Sequence, residues 1–390
     1  MLKRPVQCAH ENALSIDAAQ ARILSLVRPI VSEPIDLAAA FGRYLAADVI
    51  AHRAQPPFAS AAMDGWAVSG YEAGPYKILG ESRAGRAFPA LLEPGQAVRI
   101  STGAPLPEGA IRIVRREHGD QRGLVVQVPD GPAHADVRSR GSDFDQGAVL
   151  SRRGDRLDHL AIARLSAGGF AAVQVARRPR VSMLTTGDEI VPPGALPRTD
   201  QIYDALSIPL SIRVAQVGGR CSTLLQVPDA AAAFAEALKE CSLSDIILLI
   251  GGASGGEHDY SRIALRELGF EPIVEAVLMK PGKPFWFAKN EQGQVAVGLP
   301  GNPVAALAAA ELFLLPYVRA WQGGNPMPSW IDIPASVDTG PKLESIHFGR
   351  IDAHGRVEML GGQDSSALLP LMGANVLIRR RAGRAYRLTE

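Results

Sequence analysis

Residues 245–256 restrict the fold more than any other stretch of this chain. Asp245 is followed by Ile-Ile-Leu-Leu-Ile, then by Gly251-Gly-Ala-Ser-Gly-Gly256, then by a helical pattern over 260–268. An apolar run without alternation reads as a strand covered on both faces, as in a parallel sheet between two helical layers. The pattern recurs twice. Val181-Ser-Met-Leu-Thr185 predicts a strand that leads through a loop to a helix over about 203–217, and Val295-Ala-Val-Gly-Leu299 predicts a third, followed by a helix over 304–315. Strands alternating with helices predict an α/β unit, and such sheets bind ligands in the crevice at the carboxyl ends of their strands.

The chain is longer than one such unit. Its 390 residues suggest about two to four domains. Ile16, Ala19, Ile23, Leu26 and Val27 share one helical face, with Ser15 as N-cap and Pro29 closing the segment. From Val49 onward the period changes. Short alternating runs at 97–100 and 124–128, separated by Gly/Pro turns, predict a β-rich module. Helical character resumes around Leu157, Leu160, Ile162 and Leu165 and stops at Gly168-Gly169, so the module reads as an insertion in an elongated helical domain. Short strands at 357–360 and 376–378 predict a small C-terminal β domain. The expected division is 1–48 with 149–176, then 49–148, 177–326 and 327–390.

Several classes are disfavoured. The 41 Lys+Arg and 40 Asp+Glu leave a net charge of +1, which argues against a nucleic-acid surface but not against a small anionic ligand. Cys8, Cys221 and Cys241 form no Cys-x-x-Cys pair, so neither a disulfide framework nor a structural zinc site is expected. No signal peptide is visible before Asn12. The longest apolar stretch, 304–315, is interrupted by Glu311 and is too short to span a bilayer. A soluble cytoplasmic protein is expected, with no nucleic-acid or membrane partner.

The loops carry the chemistry. Gly 39 and Pro 29 are both above ordinary usage, and much of this excess lies at strand–helix junctions. In Leu299-Pro300-Gly301-Asn302-Pro303-Val304, Asn302 suits an N-cap and Pro303 suits N1, leaving helix N–H groups facing the loop as an anion site. Gly251, Gly252, Ser254 and Gly256 form a second loop permitting close backbone approach, in a spacing that is neither a Walker A loop nor a Rossmann fingerprint. Lys280-Pro-Gly-Lys283-Pro284 sets two ammonium groups on a stiffened segment suited to one anion. Thr186-Gly187-Asp188-Glu189 and Asp259 supply carboxylates able to hold a divalent cation beside a phosphate, although Asp259 also reads as a helix N-cap. In Ser60-Ala-Ala-Met-Asp64-Gly65, Asp64 reads either as a turn residue or as a base or metal ligand at a site edge. Ser101-Thr102-Gly103-Ala-Pro-Leu-Pro107 is a rigid turn presenting a hydroxyl.

These segments together resemble the molybdopterin molybdenumtransferase family, the bacterial MoeA proteins and the gephyrin E domain. The carriers are Ser60 to Gly65, Thr102 to Pro107, Thr186 to Glu189, Ile202-Tyr-Asp204, Gly251 to Asp259, Lys280 to Pro284 and Gly298 to Pro303. The resemblance implies a three-layer α/β molybdopterin-binding domain, the elongated domain with its β insertion, and the C-terminal β domain. It also implies a homodimer whose site lies between one subunit's α/β domain and its partner's insertion. Adenylated molybdopterin and molybdate would be substrates, and the adenylate would be cleaved with Mg2+ or another divalent cation, releasing AMP. Asp64, Thr102, Glu189, Lys280 and Lys283 then fall on catalytic positions, and Asp259 with Glu189 on the metal. Pro300, Gly301, Asn302, Pro303, the Gly251 loop, Arg138 and Ser365 fall on substrate-binding positions. A molybdopterin adenylyltransferase and molybdoenzyme maturation proteins are the implied partners.

The sequence also departs from the family pattern. Ile111 stands where Asp is usual, and Gly141-Ser142-Asp143 where Gly-Glu-Asp is usual. Leu206 replaces Asn, Gly255 replaces a larger apolar residue, and the acid expected near Gln226-Val227-Pro228 is absent. These replacements bear on activity more than on fold. They leave an alternative reading as a catalytically weak pterin- or nucleotide-binding dimeric relative or scaffold.

Overall fold

The computed structural model describes residues 12–28, 30–251, 260–327, 330–334 and 343–388. Helix α1, Ile16–Leu24, starts where expected: Ser15 Oγ accepts from the Ala18 amide at 3.2 Å. Its buried face (Ile16, Ala19, Ile23) packs into the core of the α/β unit, and Gln20 Nε2 donates to Leu312 O at 2.8 Å. The elongated unit follows, with Ser32–Asp36 antiparallel to Ala172–Ala176. Helix α2, His159–Ala167, is capped by Asp158, whose Oδ1 accepts from the Ala161 amide at 2.7 Å. The chain leaves for the insertion at Val49–Ile50 and returns at Val149–Ser151, and these two short strands pair.

The insertion is built on a six-stranded sheet. Its central strands alternate between two cores: Trp66, Val68 and Val114 face one, while Ala67, Val98 and Ile113 face the other.

The α/β unit runs β1 (Arg180–Thr186), α3 (Ser207–Gln216), β2 (Arg220–Val227), α4 (Ala231–Glu240), β3 (Ile246–Ile250), α5 (Tyr260–Glu267), β4 (Glu271–Val274), β5 (Met279–Lys280), β6 (Trp286–Lys289), β7 (Val295–Leu299) and α6 (Pro303–Trp321). The sheet order is β2-β1-β3-β7-β6-β4. The first four strands are parallel, as expected, while β6 and β4 add an antiparallel edge. The apolar run in β3 is explained directly. Ile246, Leu248 and Ile250 enter the core that includes α1, α3 and α6, whereas Ile247 and Leu249 enter the core under α4 and α5.

Two helices differ from expectation. α3 starts at Ser207 rather than 203, because Asp204 Oδ1 accepts from the Leu206 and Ser207 amides at 2.8 and 3.0 Å and ends the preceding extended segment. Ile202–Tyr203 instead forms a short strand against Ile190–Val191. α6 continues to Trp321, well past the expected end at 315. A π-helical segment, Ala310–Leu314, precedes Pro316 and absorbs its missing N–H. At 19 residues α6 is long and apolar enough to cross a membrane by length and composition, but 89% of its most apolar window is buried in the protein core. There Glu311 is held by Arg213 through two bonds of 2.7 and 3.0 Å.

The C-terminal sheet comprises β8 (Trp330–Asp332), β9 (Glu344–Ile351), β10 (Val357–Met359), β11 (Val376–Arg379) and β12 (Arg384–Arg387). β9, which the sequence pattern did not reveal, is its central member. β9 pairs with β10 and β11, and its first two residues also run parallel to β5.

Candidate active site

From β1 the chain crosses to β2 on one side, then returns to β3 on the other. The carboxyl ends of β1 and β3 therefore flank a topological switch point, where a doubly wound sheet opens its crevice. Three loops meet there. Gly251, with φ +87°, lies so close to β1 that a Cβ would sit 2.9 Å from Thr186 O, and a Cβ on Gly301 would touch Gly251 Cα at 3.6 Å. The ends of β1, β3 and β7 thus lie side by side, and the approach of Gly251 to Thr186 leaves no room for a side chain.

The carboxylates gather after β1 and β2. Glu189 folds back over Gly187, where a Cβ would fall 2.6 Å from Glu189 Oε2, and its backbone O accepts from the Ile202 amide at 2.7 Å. The Thr186 hydroxyl donates to Asp229, whose own amide lies 3.5 Å from Asp188 Oδ1. Asp229 corrects an expectation, since the loop after β2 does carry an acid just beyond Pro228. The sequence signal was only an Asp before the α4 pattern, which reads as a cap. Two replaced positions also change meaning. Leu206 and Val227 are 4% and 2% exposed and belong to the two cores, so neither leaves a gap in the crevice.

The lysine loop reaches the same place. Gly282, at φ +111°, sits where a Cβ would meet Met279 Cε at 2.6 Å and Ala305 O at 3.6 Å, so the loop rests on the first turn of α6. Lys280 is exposed, Lys283 half-buried, and neither ammonium makes an ion pair with a described residue.

The mouth of α6 departs from expectation. Asn302 occupies the N-cap position and Pro303 the first helical position, yet the Asn302 side chain makes no capping bond. Its Nδ2 donates to Ser365 Oγ at 3.0 Å, and the Val304 amide donates to Ser365 O at 3.0 Å. The C-terminal domain therefore takes up an amide expected to be free, and Ser365 does reach the crevice. Gly252, Ser254, Gly255, Gly256 and Asp259 lie outside the described residues. Among the described residues no group of three or more His, Cys, Asp or Glu converges as a metal site.

In the insertion, Asp64, Thr102 and Arg138 form a second group. Ala61 exchanges backbone bonds of 2.9 and 2.8 Å with the 103–104 turn, while Arg138 pairs in register with Ser60. Asp64 Oδ1 accepts from the Thr102 amide at 2.6 Å and its hydroxyl at 2.9 Å. These bonds, with Arg116 nearby, hold the Asp64 carboxyl below the usual carboxylate range, so it is a base or ligand rather than an acid. Gly65 is required beside it, since a Cβ there would lie 1.9 Å from Val114 O. Ile111 and Ser142 lie in this module and bond through their backbones to Val68 and Ser139. Among the described residues, no hydrogen bond or ion pair joins the insertion sheet to the crevice loops.

Comparison with known proteins resolves the kinship. Residues 14–169 match the model of the MoeA N-terminal region (domain I and II), and residues 182–320 that of a probable molybdopterin binding domain. A molybdopterin molybdenumtransferase from Synechococcus elongatus is 30% identical over 92% of this chain and 93% of its own length. The chain belongs to the molybdopterin molybdenumtransferase family. Another member, molybdopterin molybdenumtransferase 2 of Mycobacterium tuberculosis, is 32% identical over 78% of each chain. The fold agrees with family membership. A molybdopterin biosynthesis MoeA protein from Pyrococcus horikosii superposes with a TM-score of 0.80 over 96% of both chains, at 24% identity.

Proposed function

We propose that this chain is a molybdopterin molybdenumtransferase acting in molybdenum cofactor biosynthesis. It takes adenylated molybdopterin, inserts molybdate at the dithiolene, and releases AMP by cleavage of the phosphoanhydride. The observation that carries this reading is the contact of the Gly251 and Gly301 loops at the carboxyl ends of β3 and β7, with the lysine loop resting through Gly282 on the first turn of α6 and no ion pair at Lys280 or Lys283 among the described residues.

The residues divide the work by charge. Lys280 and Lys283 neutralise the phosphates, whose transfer depends mainly on positioning and electrostatic stabilisation. Glu189 and Asp64 stand as carboxylates able to orient the attacking water. Pro300, Gly301, Asn302 and Pro303 shape the pocket for molybdate, with Ser365 at its edge. Magnesium belongs to the proposal as the expected cation, with Glu189 and Asp259 as its ligands. It would offset phosphate charge when bound. The described residues do not gather a full ligand set, so the roles assigned to the chain's own groups do not depend on it.

The working form is proposed to be a homodimer in the cytoplasm. That no hydrogen bond or ion pair among the described residues ties the insertion sheet to the crevice loops supports a site completed by the partner's insertion. The substrate would come from a molybdopterin adenylyltransferase, and the product would pass to molybdoenzyme maturation. Purified protein incubated with adenylated molybdopterin, molybdate and magnesium should release AMP only when molybdate is present. Tight binding of the nucleotide without molybdate-dependent AMP release would replace the transferase with a binding protein.

A further inference from the structure

We propose that Gln363 is a positioning residue for the crevice: its side-chain amide fixes the loop that delivers Ser365 to the mouth of α6. The inference rests on the reading that Ser365 serves that site. Beyond Met359, strand β10 no longer follows β9, and the polar groups of Phe348 would lose part of their ladder. Gln363 takes over as a surrogate peptide group. Its Oε1 accepts from the Phe348 amide at 2.8 Å, and its Nε2 donates to Phe348 O at 2.7 Å and Leu360 O at 2.6 Å. Only an amide supplies an acceptor and two donors in that arrangement.

The next residues carry the fixed point to the crevice. Asp364 Oδ1 accepts from the Ser366 amide at 2.9 Å and from its hydroxyl, closing a turn. Ser365 lies inside this turn and bonds to Asn302 and to the Val304 amide. The same strand also holds the lysine loop, because Lys280 pairs in register with Ser345. Ser345 and Phe348 are about 10 Å apart along β9. One rigid strand thus sets Ser365 and Lys280 at a constant separation, and Gln363 is the joint on the serine side.

The sharp variant is Gln363→Glu, which keeps the shape but removes both donors and faces a carboxylate toward two carbonyls. Gln363→Ala removes the same bonds without adding charge and stands in if the first variant fails to fold. Hydrogen–deuterium exchange on the full chain should show the Val304 amide and the 361–367 segment exchanging about tenfold faster, as expected for loss of one hydrogen bond of ordinary strength. Protection at 376–379 and the melting temperature should stay close to wild type. Unchanged protection at Val304 and 361–367 would overturn the positioning role whatever the protein catalyses. AMP release should fall about 10- to 100-fold, and Gln363→Glu combined with Ser365→Ala should be no slower than the worse single variant. Additive losses would overturn action through Ser365. Faster exchange with full turnover in Ser365→Ala would leave the joint standing and remove Ser365 from the proposed reaction.

Discussion

In the crevice, Gly187, Gly251 and Gly282 each stand where a Cβ would fall within 2.9 Å of a neighbour, whereas in the insertion the Asp64 side chain is solvent-facing and supported by Thr102. At Gly251 that neighbour is backbone, Thr186 O, while at Gly187 and Gly282 it is the end of a side chain, Glu189 Oε2 and Met279 Cε. The insertion offers a single ionised group on a firm turn. Substitution in the first disturbs architecture and chemistry together, and substitution of Asp64 should disturb chemistry alone.

The strongest way to break this comparison is to recombine the two regions. Asp64→Ala and Lys280→Ala should each lower AMP release about 100-fold, in the range for loss of a positioned base or an electrostatic donor. If each site joins two subunits, mixing the two variants after reversible dissociation should restore about a quarter of wild-type activity, since half the dimers are mixed and each has one intact site. No recovery in the mixture would place both groups in one chain's site. A smaller effect separates architecture from chemistry. Gly251→Ala should lower unfolding free energy by about 1–3 kcal/mol, through strain at its left-handed backbone and the approach to Thr186 O. Asp64→Ala, whose side chain is exposed, should unfold close to the wild-type midpoint in the same urea titration.

The smallest expected effect is one of pH. Because Thr102 depresses the folded-state pKa of Asp64, the associated stability is present above the ordinary carboxylate value of 3.8 and is lost as pH falls through the lower folded value. The unfolding midpoint of Asp64→Asn should therefore run parallel to wild type at neutral pH and converge on it below pH ~4. Curves that stay parallel into acid would mean that Thr102 does not hold the carboxylate.

The α/β unit was legible because β3 is buried on both faces, and its uninterrupted Ile/Leu run cannot satisfy any one-sided arrangement. β2 was hidden for the opposite reason. It is an edge strand with a buried residue only at Val227, so Arg220, Ser222 and Thr223 mask its strand character. The helix after β7 was read as ending at 315, just before Pro316, which looks like a terminator. The π-helical segment Ala310–Leu314 carries the helix past it. Among the candidate residues, Asp64, Thr102, Glu189 and the lysines were visible through local motifs. Asp229 was not, because its tie to Thr186 joins residues remote in sequence, and neither was Gln363, whose bonds reach back to β9. Contacts of that range leave no periodic trace. The replacements at Leu206 and Val227 looked like lost polar groups, yet both side chains fill core space.

The pairing of β5 with β9 also orders events during synthesis. Met279 and Lys280 find their partners, Glu344 and Ser345, only after roughly 65 further residues have been made, some 3–13 s at ordinary elongation rates. A ribosome-bound chain that has finished α6 still lacks the strand against which Met279 and Lys280 pair. The fixing of Lys280 against Ser345 therefore arrives last, with the C-terminal domain. Truncation before Glu344 would remove that pairing together with Ile346 and Phe348 from the core they share with the α/β layers.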